Sequence, residues 1–165
     1  MTYIKQNDKR FLPAIRKVGC FFRSACLVAE LKTGTALHYN TINDMWYYAK
    51  GLGWIDGNDD VKDSAAIINE ALYRLGDKGK YIEVATKKNG ITTWYGWVLN
   101  SDKYRRFDAG IQKINFISKT DPELTTHFRV VNDNDAVIED PYSPPVIPTK
   151  ILYTVVYAYI EQTRS

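Results

Sequence analysis

Apolar positions in the first half of the chain recur at helical spacing. Between Cys20 and about Leu31, the residues Phe21, Phe22, Ala25, Cys26 and Ala29 fall on helical intervals, and Gly34 follows as a stop. Thr41-Ile42-Asn43-Asp44 has the form of a capping box with Asp in the place of Glu. It predicts a second helix through Met45, Trp46 and Ala49, closing near Gly51-Leu52-Gly53. Asp63-Ser64 predicts the cap of a third helix, whose stripe is Ile67, Ile68, Ala71, Leu72 and Leu75, with Gly76 at its end.

After Gly79 the period changes. The runs KYIEVATKK, ITTWYGWVL, INFIS, HFRVV, AVIED and ILYTVVYAYI are short, rich in β-branched and aromatic residues, and separated by turn signals. The NDND of residues 132–135 predicts a hairpin turn between HFRVV and AVIED. Pro141, Pro144, Pro145 and Pro148 predict an extended connection before the last strand. Helices followed by an antiparallel sheet define an α+β fold, and the 165 residues fit one domain, 1–165, with a real core. The last run reads either as an edge strand open to self-association or as a buried strand.

Composition narrows the class. No apolar run reaches the roughly 18 residues that span a bilayer, and the charged N-terminal segment lacks the apolar stretch of a secretory signal. The expectation is a cytoplasmic protein with no membrane partner. A net charge of +3 does not by itself imply nucleic acid, and no RNA-binding signature accompanies the aromatics, so no nucleic-acid partner is expected. Asp56, Asn58 and Asp60 alternate as in a calcium loop. The central glycine and the terminal glutamate of that loop are missing, so these residues read as a turn. No CxxC is present, and His38 and His127 lack zinc-ligand spacing with the cysteines, so no metal is expected.

Both cysteines lie in KVGCFFRSAC. Six residues of helix put Cys20 and Cys26 on different faces, which disfavours a bridge between them. Cys26 reads as core. Cys20 follows Gly19 at a helix start, where the helix dipole favours an anion, and Arg16, Lys17 and Arg23 flank it. These features fit either a packed thiol or a reactive one. A nucleophilic thiol needs a base. His127 opens HFRVV and Asp140 ends AVIED, so the hairpin sets them on neighbouring strands, roughly opposite each other, as a base and the carboxylate that orients it.

The segments IKQNDKRF, KVGCFFRSACLVAE and HFRVVNDNDAVIEDPY, in that order, resemble the papain-like cysteine peptidases of the C39, bacteriocin-processing type and their phage and bacterial relatives. The middle of the chain also resembles the helical part of small prophage-type relatives. That resemblance implies a papain-like fold, with Cys20 as nucleophile, His127 as general base and acid, and Asp140 as orienting residue. It adds Gln6, from Gln6-Asn7-Asp8, as the side-chain donor to the oxyanion. It implies no cofactor, and a peptide or protein substrate cleaved at an amide bond, peptidoglycan crosslinks included. Phe21-Phe22 stand where those peptidases keep Gly-Pro. That departure favours the alternative, a non-catalytic accessory protein of phage or mobile-element origin that uses the same fold to bind a protein partner.

Overall fold

A computed structural model describes residues 2–119, 121–123 and 125–162. Helices come first: α1 (Pro13–Val18), α2 (Cys20–Thr33), α3 (Tyr39–Gly51) and α4 (Ser64–Arg74). Strands follow: β1 (Lys80–Lys88), β2 (Ile91–Trp94), β3 (Ala109–Phe116), β4 (Thr126–Val131), β5 (Val137–Glu139) and β6 (Pro148–Ile160), with a 3-10 turn at Gly96–Val98. The expected α+β class holds: four N-terminal helices pack on one antiparallel sheet of order β2-β1-β6-β3-β4-β5.

The last strand runs through the middle of the sheet, between β1 and β3. Its Val156, Tyr157 and Ala158 are buried, which explains a run apolar on both faces. One face lies under the helices. Phe22, Cys26, Ala29, Ile67 and Ile68 meet Tyr81, Ile111, Val130 and Tyr157 in the main core. The other face is covered by the β2–β3 connection, where Tyr95, Val98, Tyr104 and Phe107 pack on Val84, Val156 and Ala158. A buried ion pair crosses the main core. Arg23 pairs with Glu30, both fully buried. Arg23 Nε also donates to the Ile4 carbonyl, and the second Glu30 oxygen accepts the Leu37 N–H at 3.0 Å.

Most helix boundaries follow from local chemistry. Asp63 caps α4 by accepting the Ala66 N–H, and Gly34 ends α2 at φ +67°, a left-handed conformation that glycine adopts without cost. The run ITTWYGWVL, expected as a strand, is one only over Ile91–Trp94 and then turns at Gly96–Val98. Two details of the helices also differ from the sequence reading. Helix α3 starts at Tyr39, capped by His38 Nδ1 accepting the Asn40 N–H, so the Thr41–Asp44 box lies inside the helix. Helix α1 precedes α2 with Gly19 as the sole residue between them. A side chain at Gly19 would sit 2.6 Å from the Ile15 carbonyl oxygen and 2.7 Å from its Cα. That contact is too short for any Cβ, so the junction requires glycine.

Candidate active site

The Gly19 junction aims the start of α2 at the sheet. Cys20 is the first residue of α2 and is partly exposed. Helix α2 lies across β4, and Phe21 fixes the approach by stacking on Phe128 of that strand, centroids 4.2 Å apart. Phe22 points the other way, into the core, edge-on to Trp46 at 5.2 Å. The pair therefore docks the helix, one ring on the sheet and one in the core.

His127, next to Phe128, is 3% exposed. Its ring and the Cys20 side chain line one cleft. Its Nε2 meets Asp140 Oδ1 at 2.7 Å. Val130 pairs with Glu139 across the β4–β5 hairpin. Continuing that register sets Asp140 across from Arg129, so Asp140 is a diagonal neighbour of His127 rather than its direct partner. The turn between the strands is held by Asn132 Oδ1, which accepts the N–H groups of Asn134 and Ala136, with Asp135 at φ +60°. Phe116 and Tyr142 stand edge-on to the imidazole, each at 6.0 Å, and screen it from water.

These surroundings set the charges. Burial opposes a charged His127 ring, but the hydrogen bond to Asp140 and the interactions with the Cys20 thiol and the Asp140 charge outweigh it and raise its pKa from 6.5 to about 9. Burial would likewise raise the Asp140 pKa. The His127 hydrogen bond and charge, with the N–H groups of Tyr142 and Val146, outweigh that and lower it. Both backbone bonds are well formed, 2.9 Å from Tyr142 to Oδ1 and 3.0 Å from Val146 to Oδ2. Cys26 contrasts with Cys20: complete burial pushes its thiol up to about 12. Of the three cations flanking Cys20 in sequence, Arg23 turns into the core and pairs with Glu30, while Lys17 lines the cleft at the thiol.

Gln6 also lines that cleft and is 2% exposed. Its Nε2 donates to the carbonyls of Ile15 at 3.0 Å and Arg16 at 3.3 Å, and its Oε1 is buried without a partner. Its backbone N–H donates to the Pro141 carbonyl at 2.6 Å. The flanking residues act with it. Lys5 Nζ meets Glu139 Oε1 at 2.5 Å and the Asp140 carbonyl at 2.8 Å, and Asn7 Nδ2 donates to the Ser143 carbonyl at 2.7 Å. Residues 5–7 thus tie the Asp140 loop to the end of α1, one glycine before Cys20. Lysine and asparagine near a chain start carry no sequence signal for such a role, and their positions emerge only from the packed fold.

The structure therefore brings Gln6, Cys20 and His127 to one cleft of about 70 Å³, with Asp140 bonded to His127 outside its lining. A larger groove, about 930 Å³, lies at the other end of α2 beside Val28, Leu31 and Lys32, and none of the four lines it. Among the described residues no group of His, Cys, Asp and Glu is placed to hold a metal ion, and no helix is long and apolar enough to cross a membrane. Asp56 instead accepts the N–H groups of Asn58 and Asp60 in its own loop. No protein family, curated protein or solved structure matches this chain.

Proposed function

We propose that this protein is a cysteine-dependent amide hydrolase, a peptidase or peptidoglycan-type endopeptidase with a papain-like fold. The observation that carries the reading is that Asp140 holds Nε2 of His127 at 2.7 Å while the same imidazole and the Cys20 thiol line one cleft. A carboxylate fixed by two backbone N–H groups orients the imidazole and leaves Nδ1 for the thiol. His127 takes the thiol proton, and the Cys20 thiolate attacks the substrate carbonyl carbon. The tetrahedral oxyanion meets N–H groups at the start of α2, where the helix dipole is positive. Gln6 supplies a further donor by releasing the longer of its two carbonyl bonds, the one to Arg16. The C–N bond then breaks, and His127 gives its proton to the departing amine. Water, deprotonated by His127, attacks the thioester, releasing the acid and restoring the thiol.

The alternative of a non-catalytic binding protein drew on Phe21-Phe22. Phe21 packs on Phe128 and Phe22 on Trp46, and neither lines the cleft at the thiol, which favours the catalytic reading. The test is labelling by a thiol-directed electrophile at pH 7, with hydrolysis of a peptide library and of muropeptides. Cys20→Ala should abolish labelling and hydrolysis, and Cys26→Ala should preserve both. Equal labelling of the two thiols, or of neither, would defeat the reading.

A further inference from the structure

The wall of the Cys20 cleft is one-sided in charge. Among the described residues that line it, Lys17 and the His127 imidazole are the basic groups, and no Asp or Glu lines it. Asp140 stands behind His127, its oxygens taken by that ring and by the N–H groups of Tyr142 and Val146. Lys17 lies in the last turn of α1, three residues before the thiol, and is exposed. A lysine at such a position ordinarily serves the terminal carbonyls of its helix. Here Gln6 Nε2 takes the carbonyls of Ile15 and Arg16, and the Gly19 N–H shares that of Ile15. Lys17 makes no hydrogen bond or ion pair among the described residues, whereas Lys5 and Lys50 each meet a carboxylate at 2.5 Å. A solvated lysine elsewhere on the surface needs no explanation. This one borders a cleft of about 70 Å³ that holds a thiol and has no counter-charge on its wall.

We infer that Lys17 selects amide substrates that carry a carboxylate next to the scissile bond, on an acidic side chain or at a chain terminus. The inference rests on the hydrolase reading of the Cys20 cleft and adds the substrate class to it. The cleft has room for the reacting amide and little more, so a group next to that amide lies at its mouth, where Lys17 stands exposed. A carboxylate there meets an ammonium that gives up no existing partner. In close contact such a pair gains about fivefold even at the dielectric constant of water. A cationic group at the same place meets a like charge and loses by a similar factor.

The test measures, by intact mass, how fast paired electrophiles alkylate Cys20, one member of each pair an acid and the other its neutral amide. Acetyl-Ala-Asp and acetyl-Ala-Asn chloromethylketones differ in a side chain. Bromoacetyl-alanine and bromoacetyl-alaninamide differ at a chain terminus. The acid-to-amide rate ratio of a pair cancels any change in the thiol itself. In at least one pair that ratio should fall about fivefold from the native chain to Lys17→Gln. It should hold in Lys17→Arg and fall further in Lys17→Glu, and the pair that responds identifies the source of the carboxylate. Added salt should shrink the native ratio toward that of Lys17→Gln, because an exposed charge is screened. Selective iodoacetamide labelling of Cys20, with both ratios equal in the native chain and Lys17→Gln, overturns the selection and leaves the hydrolase reading standing. A ratio that falls as far in Lys17→Arg as in Lys17→Gln assigns the effect to packing rather than charge and also overturns it. Iodoacetamide that fails to single out Cys20 over Cys26 defeats the hydrolase reading and the selection with it.

Discussion

Cys20 and Cys26 show how position along one helix separates two identical side chains. Cys26 sits in the core with its ionisation suppressed, and Cys20 meets an imidazole at the helix start. His127 gives this pairing a signature in stability. Its folded pKa of about 9 stands above the ordinary 6.5, so its contribution is complete below pH 6.5 and is lost as pH rises through about 9. Urea midpoints measured from pH 6 to pH 10 should fall more steeply across that window for the native chain than for His127→Gln, and parallel curves would contradict it. Asp140 has the opposite sign: its lowered pKa adds stability above the ordinary carboxylate range, lost on acidification. His127 and Asp140 are legible in sequence because a hairpin fixes which residues become neighbours. Arg23 is not, because its surface-like charge is neutralised by Glu30, seven residues away, through packing that no local pattern encodes. Removing one partner leaves a buried charge uncompensated, so Glu30→Gln should cost about 3–5 kcal/mol in denaturant unfolding.

At the scale of elements, the apolar pattern and the stops recover α2, α4 and β1 almost to the residue, with Gly34 ending α2 and Asp63 capping α4, even though α2 is buried on all sides from Phe22 to Glu30. Helix α1 is only six residues long, and its buried anchor is Ile15 alone, so the sequence gives it no stripe. The β3 run extends back to Ala109 because Gly110, pressed against Phe107 and Thr154, pairs as a strand residue despite its low strand propensity. The α1–α2 junction depends on one glycine. Gly19→Ala must push the Ile15 backbone away, and overpacking of this kind costs about 1–3 kcal/mol. The same shift moves the start of α2 relative to β4, so the rate of Cys20 alkylation should fall along with the melting temperature. A variant equal to the native chain in both would show that the junction tolerates a side chain.

Across the whole molecule, the site is a seam between distant parts of the chain. Lys5, Gln6 and Asn7 bind the loop from Glu139 to Ser143, and that loop holds the carboxylate of Asp140. Asn7→Ala removes two side-chain bonds to Ser143, so amide exchange at Tyr142 and Val146, which report the Asp140 cradle, should accelerate while exchange in β6 stays constant. Equal exchange at Tyr142 in both proteins would assign the cradle's rigidity to the loop itself. This seam also sets a schedule. A ribosome delivers Cys20 early, but the imidazole emerges more than a hundred residues later, and the carboxylate and its Val146 anchor later still. Until that later segment is made, Cys20 has neither the imidazole nor the cleft beside it. The cleft at Cys20 closes only when the segment from His127 to Val146 has joined the helices.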